Sequence, residues 1–311
     1  MDYMDYDALL TTGQWRLFRA RLTADEKDMQ EAGRSAEVTR LRALELTIAA
    51  HCGTFDQGRY RQLRQLSTAG NDPATTGLLD HAAGLSHLAC GDMTAAWQSL
   101  RNLTMPSDLE AARHAYVDVV RVALAVGQRN VAFRMLSHGP LRAVDPMTTA
   151  RVAHAQALAV VETGAEDPEP YFELALQSPL MPRRPMEHAR LLLDYGRLLR
   201  SRRREDSRAA LREALTRFEW LTATPWAAQA RAELRAAGVR VPGEYGPPAT
   251  EALTPHSLRI LRLAAEGLSN RAIAERLSVS PRTVASHLYR AFPLIGVQSR
   301  HELPKLFART A

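Results

Sequence analysis

Glycines recur along the first part of the chain at a nearly constant spacing. Gly53, Gly91, Gly127 and Gly164 are separated by 38, 36 and 37 residues. Each follows an apolar helical stretch, such as RVALAVGQ, and precedes another, such as NVAFRMLS. Glycine readily adopts the left-handed backbone that closes a helix. The spacing therefore predicts helix pairs joined at glycine turns, and it indicates one structural unit repeated about every 37 residues.

Prolines end the predicted units at Pro106, Pro140 and Pro179, and a further helix pair is expected over about 184–201 and 205–221, followed by a helix to about 237. A single hairpin of this size cannot bury its apolar stripe, whereas stacked hairpins share a continuous core. The pattern resembles the tetratricopeptide repeat, slightly stretched and degenerate. It predicts an all-α helical-hairpin solenoid, with an irregular helical bundle as the alternative.

Residues 238–250, GVRVPGEYGPPAT, hold three prolines and three glycines. Neither a helix nor a strand is expected in such a segment, because proline lacks a backbone donor and glycine weakens regular structure. We therefore predict a helical repeat domain over 1–237, a linker over 238–250 and a second domain over 251–311.

The excess positive charge lies in the last part of the chain. Residues 251–311 carry nine Lys and Arg against four Asp and Glu, a net of +5, while the whole chain carries +6. A polyanion is the expected partner of such a segment, although a solvated basic domain fits the charge equally well. No apolar run is long enough to span a membrane, the N-terminus MDYMDYDALL lacks a signal-peptide pattern, and two cysteines exclude a disulfide scaffold. We expect a cytoplasmic chain that does not enter a membrane.

Four short helices are predicted after the linker. Serine or threonine precedes each as a candidate N-cap: Thr254, Ser269, Ser280 and Ser299. Pro255 and Pro281 occupy first helical positions, Gly267 ends the first helix, and Glu302 gives the last one a capping-box spacing. Two short helices joined by about three residues, the second strongly capped, indicate a helix-turn-helix.

The segment LTPHSLRILRLAAEGLSNRAIAERLSVSPRTVASHLYRAFPLIGVQSRHEL resembles the LuxR-type helix-turn-helix domain, with LTP, AEGLSN, IAERL, VSPRTV, HL, GV and SR at that family's spacing. The resemblance implies a motif from Asn270 to Tyr289, whose last helix enters the major groove of double-stranded DNA, and a homodimer on a two-fold site. It places Ala285, Ser286 and Tyr289 at base edges.

Arg282, Thr283 and Arg290 are expected to contact phosphates, and Arg290 is also able to reach a guanine. Ala285 stands where the family often has lysine, which favours contact with a thymine methyl group. Pro293 is expected to end or kink the recognition helix near Phe292, and Pro304 falls in the fourth helix. Both prolines bear on the dimer geometry.

Helical repeats followed by this domain resemble the C-terminal half of the large MalT-like regulators, whose nucleotide-binding domain precedes the repeats. The chain contains no Walker A sequence, no HExxH and no GxSxG after a strand, so we expect neither an enzyme, a cofactor nor a metal site. Trp15, Trp97, Trp220 and Trp226 are expected in the repeat core, and Cys52 and Cys90 as small buried residues at helix ends.

We therefore predict a sequence-specific transcription regulator whose repeats bind a protein, a peptide or a small effector, or mediate oligomerisation. The alternative is a helical-repeat scaffold whose helix-turn-helix has lost specific readout.

Overall fold

The computed structural model describes residues 3–104, 109–138, 145–239, 255–277, 279–294, 300 and 303. Every regular element within these ranges is helical. The chain divides into two compact units, Met1–Arg240 and Val241–Ala311. Over the ranges described, no helix combines the length and the apolar character needed to cross a membrane.

The α-helices described in the first unit are α1 (Tyr3–Thr11), α2 (Trp15–Glu31), α3 (Ser35–Cys52), α4 (Gln57–Ala69), α5 (Pro73–Ala89), α6 (Met93–Leu100), α7 (Leu109–Ala125), α8 (Arg129–His138), α9 (Pro146–Thr163), α10 (Glu169–Leu176), α11 (Pro185–Ser201), α12 (Ser207–Trp220) and α13 (Thr224–Ala236). Those of the second unit are α14 (Pro255–Ala265), α15 (Asn270–Leu277) and α16 (Pro281–Leu294).

The glycine turns predicted from the spacing are confirmed. Gly53, Gly91, Gly127 and Gly164 follow α3, α5, α7 and α9, and all four have a left-handed backbone, with φ from 64° to 82°. A side chain is strained in that conformation, which explains why glycine recurs there. Each turn joins two helices that are followed by the next pair.

Helices α3, α5, α7 and α9 form an inner row in which each packs on the next, while α4, α6 and α8 each pack between two members of that row. Small residues allow the close approach. A Cβ atom on Gly84 of α5 would lie 2.4 Å from Leu100 of α6. The shared core that the repeat requires is present, while the tetratricopeptide-like character of the unit remains a prediction.

The last helices of the first unit return to its beginning. Helix α13 packs on α3, where the Gly53 turn lies against Pro225. The side-chain amide of Gln229 in α13 donates to the carbonyl of Ala89 at 3.1 Å. The His51 ring stacks on Trp15, with 5.8 Å between ring centroids, and lies 6.2 Å from Trp226. The hairpin period did not predict this closure.

Two expectations about individual residues were wrong. Trp220 is 63% exposed, because the inner side of α12 is filled by Phe218 and other residues, whereas Trp15 and Trp226 are buried as expected. Cys90 is exposed and Cys52 is only partly buried. Helix α16 includes Pro293 and ends at Leu294, within two residues of the end or kink expected near Phe292.

The second unit has its own small core. Its buried apolar side chains come from α14, α15, α16 and one later residue: Ile260, Leu261, Leu263, Ala264, Ile273, Ala274, Val284, Leu288, Ala291 and Leu303. Ala265 and Leu277 pack against this cluster. These buried positions recur at helical spacing along each of the three helices.

Candidate nucleic-acid interface

The start of α15 is fixed by two adjacent local signals. Gly267, with φ of 89°, ends α14, and the Leu268 N–H donates to the Leu263 carbonyl at 3.2 Å. The Ser269 hydroxyl then accepts a hydrogen bond from the Ala272 N–H at 3.2 Å. The predicted cap at Ser269 is confirmed, and it sets the direction in which α15 leaves the turn.

The start of α16 is also capped as predicted. The Ser280 hydroxyl accepts from the Thr283 N–H at 3.0 Å and lies 2.7 Å from the Thr283 hydroxyl. Pro281 occupies the first helical position, where its missing N–H leaves no bond unmade. If the Ser280 hydroxyl donates to Thr283, the Thr283 O–H stays available to a phosphate. The caps expected at Thr254 and at Ser299 with Glu302 lie outside the described residues.

Helix α16 presents different residues to the core and to the outside. Val284, Leu288 and Ala291 are buried, whereas Arg282 and Ala285 are exposed. Thr283 is partly buried. Residues three and four apart share a helix face, so positions 282, 285, 286 and 289 form a strip away from the buried positions.

Ser286, Tyr289 and Arg290 lie within α16, but their side chains lie outside the described residues. The structure therefore gives no geometry for three of the six predicted DNA contacts. It places the other three, Arg282, Thr283 and Ala285, within the first five residues of α16, next to the Ser280 cap.

Two polar contacts fasten the helices of this unit together. Arg300 donates to the side-chain oxygen of Asn270 at 2.7 Å and to the carbonyl of Leu268. His287 shares a 2.9 Å hydrogen bond with Ser257 of α14. Arg300 therefore stabilises the first turn of α15. Sequence analysis missed this role, because the two partners of Arg300 lie 30 and 32 residues away in the chain.

The described arginines on the outside of the unit are Arg259, Arg271, Arg276 and Arg282. Arg271 contacts Glu275 at 3.2 Å on the exposed side of α15. Exposed pairs of this kind are weak, so Arg271 is readily able to exchange Glu275 for a phosphate. No cluster of three or more metal-ligating side chains occurs in the described part of the chain.

A short α15, a turn and a capped α16 with an exposed cationic end define a helix-turn-helix domain of the DNA-binding kind. Residues 251–307 match the family described as "GerE: Bacterial regulatory proteins, luxR family". The C-terminal region is therefore a LuxR-family helix-turn-helix domain.

Relatives of this domain occur in mycobacteria. A protein of Mycobacterium bovis and proteins of two Mycobacterium tuberculosis strains, provisionally named HTH-type transcriptional regulators, are each 49% identical to this chain over 57 residues. The match covers 18% of this chain and 6% of each relative. No solved structure matches the chain.

Sequence analysis did not predict a cluster of buried polar residues in the first unit. Asp118 of α7 accepts hydrogen bonds from His81 of α5 at 3.0 Å and from Arg190 of α11. Asp194 of α11 accepts from His154 of α9 at 2.9 Å and from Arg121 of α7. We call these six residues the ion-pair cluster; α7 and α11 each supply one acid and one arginine to it.

Burial penalises every charge in the ion-pair cluster. Desolvation raises the pKa of Asp194, but the Arg121 charge and the His154 hydrogen bond outweigh it, so the pKa falls well below its usual range. Desolvation lowers the pKa of His81 and of His154 despite their aspartate partners. Both histidines are therefore neutral at pH 7 and donate through Nε2, since an ionised carboxylate only accepts.

One sequence signal could have found the cluster. His81, Asp118, His154 and Arg190 are separated by 37, 36 and 36 residues, the same period as the glycines. Polar residues at a position of the repeat that faces inward indicate a charge network across neighbouring hairpins.

Proposed function

We propose that this protein is a sequence-specific transcription regulator that reads the major groove with α16 and binds DNA as a homodimer. The observation that carries the proposal is the capped start of α16, which leaves Arg282 and Ala285 exposed while Val284 and Leu288 anchor the helix. The match of this domain to the LuxR family supports the same reading.

The predicted contacts divide by chemistry. Arg282, Thr283 and Arg290 neutralise or bind phosphates and supply affinity, whereas Ala285, Ser286 and Tyr289 contact base edges and supply specificity. The exposed methyl group of Ala285 suits a thymine methyl group, because it has no polar atom to offer.

The first unit is the regulatory part in this proposal. Its inner row of stacked helix pairs, closed by α11 and α13, supports a tetratricopeptide-like array that responds to an effector or partner. The MalT-like arrangement of repeats before a LuxR-type domain is part of the same proposal.

Selection of duplexes from a random pool by the full chain tests sequence-specific binding. We expect an enriched motif with two-fold symmetry. Recovery of duplexes without any enriched motif would instead favour a scaffold whose helix-turn-helix has lost readout.

Two variants test the division between affinity and specificity on the selected site. Arg282→Ala should weaken all duplexes alike, and Tyr289→Ala should change which bases are preferred, because phosphate contacts carry no sequence information. Competition binding against single-base variants of the selected site measures both. An equal loss for both variants on every duplex contradicts the division.

A further inference from the structure

A cavity of about 80 Å³ lies inside the first unit between α7, α9 and α11. A water-sized group occupies roughly 10–15 Å³ on this measure, so the cavity has room for about five to eight such groups. Two of the residues that line the cavity differ in exposure: Arg113 is exposed to solvent, whereas Asp118 is only 1% exposed. The cavity therefore runs from the surface into the interior.

The lining is apolar on one side. Val117, Met147, Ala150 and Met181 contribute this wall. Met147, Ala150 and Met181 are all buried. A wall of this kind gains free energy by covering a short hydrocarbon chain and offers nothing to a fully hydrated inorganic ion.

The other side carries an excess of positive charge. The lining holds three arginines, Arg113, Arg151 and Arg190, against two carboxylates, Asp118 and Glu187. Arg151 pairs with Glu187 through two hydrogen bonds of 2.9 and 2.8 Å, and Arg190 pairs with Asp118. No ion pair or hydrogen bond involves Arg113 within the described part of the chain, so the lining holds one arginine more than it holds carboxylates.

A buried donor on the same lining also lacks a partner. The Nε of Arg190 is buried and makes no hydrogen bond to the residues described, although its other two nitrogens bind Asp118. The side chain of Arg190 is nine-tenths buried. A buried unmade donor is costly, and an anionic oxygen is the group that satisfies it best.

We propose that this cavity binds a small organic carboxylate with a short apolar tail. The carboxylate of the ligand lies toward Arg113 and the Nε of Arg190. The apolar tail of the ligand lies against Met147, Ala150 and Met181. Glu187 and Arg190 both belong to α11, so the ligand contacts the helix that closes the inner row. Naming this ligand as the effector rests on the proposed function, whereas the binding itself does not.

Calorimetric titration of the full chain at constant ionic strength tests the assignment with four probes: butyrate, butylamine, butanol and inorganic phosphate. Butyrate should bind at least about tenfold more tightly than the other three, because it alone joins the anionic group to the apolar tail. Equal binding of butylamine or butanol, tighter binding of phosphate, or no butyrate binding would overturn the proposal.

Two variants locate the site. Arg113→Gln should weaken butyrate binding about tenfold or more, since it removes a charged donor from an exposed position without disturbing the core. Ala150→Val keeps every charge but fills the cavity, and should abolish binding. Arg134→Gln, an exposed arginine of α8 away from the cavity, should leave the Kd unchanged. Unchanged binding in the first two variants places the ligand elsewhere and contradicts the assignment.

Duplex binding by the ligand-free chain is measured separately. If the chain binds its selected duplex but not butyrate, only the cavity assignment is contradicted. If it binds butyrate but no duplex, the cavity assignment stands and the proposed function is contradicted.

Discussion

Asp118 and Asp194 show how strongly single buried charges constrain the first unit. Both are almost inaccessible to solvent. Asp118 is held by His81 and Arg190, and Asp194 is held by His154 and Arg121, with a further contact of 3.3 Å from Arg197 of its own helix. Buried ion pairs add little net stability compared with apolar packing, but removal of one partner leaves a buried charge uncompensated. The ion-pair cluster therefore fixes which way α11 lies across α7 and α9.

Asp194→Ala tests this constraint. It should lower the free energy of unfolding by about 3–5 kcal/mol, because Arg121 loses its buried counter-ion. Asp167→Ala is the control, since Asp167 also pairs with an arginine, Arg202, but at the surface, and it should have little effect. Urea unfolding followed by tryptophan fluorescence reports on the first unit alone, because all four tryptophans lie there. Equal losses in the two variants would contradict the role of the cluster.

His51 predicts how the first unit responds to acid. Burial, assisted by the Arg190 charge, lowers the pKa of His51 to about 3. The unfolded chain therefore takes up a proton near pH 6.5 while the folded chain does not, so stability falls as the pH drops below that value. Between pH 6.5 and 5 this residue alone should remove about 2 kcal/mol of the free energy of unfolding.

His51→Phe separates this effect from the other buried histidines. A phenyl ring is able to stack on Trp15 as the imidazole does but does not titrate. Urea unfolding at several pH values between 7 and 5 should show a pH slope smaller by about one proton in the variant. An identical slope in the variant and the parent chain would mean that His51 is charged in the folded protein.

At the scale of the helix, the local sequence predicted the helix ends at glycine turns and the helix starts at serine caps. The turns at Gly53 and Gly267 and the caps at Ser269 and Ser280 depend on residues within one turn of the helix end. Three other left-handed positions carry Asn71, Arg203 and Thr222 instead, after α4, α11 and α12. Arg203 and Thr222 could not be predicted, because neither residue type favours a left-handed backbone.

Arg203→Gly should stabilise the first unit by about 0.5–1 kcal/mol, because glycine removes the strain of a left-handed backbone at the end of α11. The residue is exposed and has a φ of 58°. Arg212→Gly, in the exposed face of α12, is the matched control and should destabilise by about 1 kcal/mol. Thermal unfolding of both variants gives the comparison, and a loss of stability in Arg203→Gly would show that its backbone is not strained.

For the whole molecule, sequence predicted what is local or periodic. The glycine period gave the helix pairs, and the long run from LTP to SRHEL gave the C-terminal domain. The return of α13 to α3 depends on contacts between Trp226 and His51, 175 residues away in the chain, which no short pattern reports.

The identity of the side chains that contact DNA remains a prediction from the LuxR-type motif. The positive charge at the start of α16 makes DNA binding by this motif measurable through its salt dependence. About five phosphate contacts per subunit should release counterions on binding, so the logarithm of affinity should fall with the logarithm of salt concentration with a slope of about −4 to −5 per subunit.

The most direct test is a titration of the full chain with its selected duplex at several salt concentrations between about 50 and 200 mM, followed by fluorescence anisotropy. The account predicts that slope together with tighter binding to the selected duplex than to a scrambled one. Absence of duplex binding at the lowest salt concentration, or an affinity independent of salt, would contradict it.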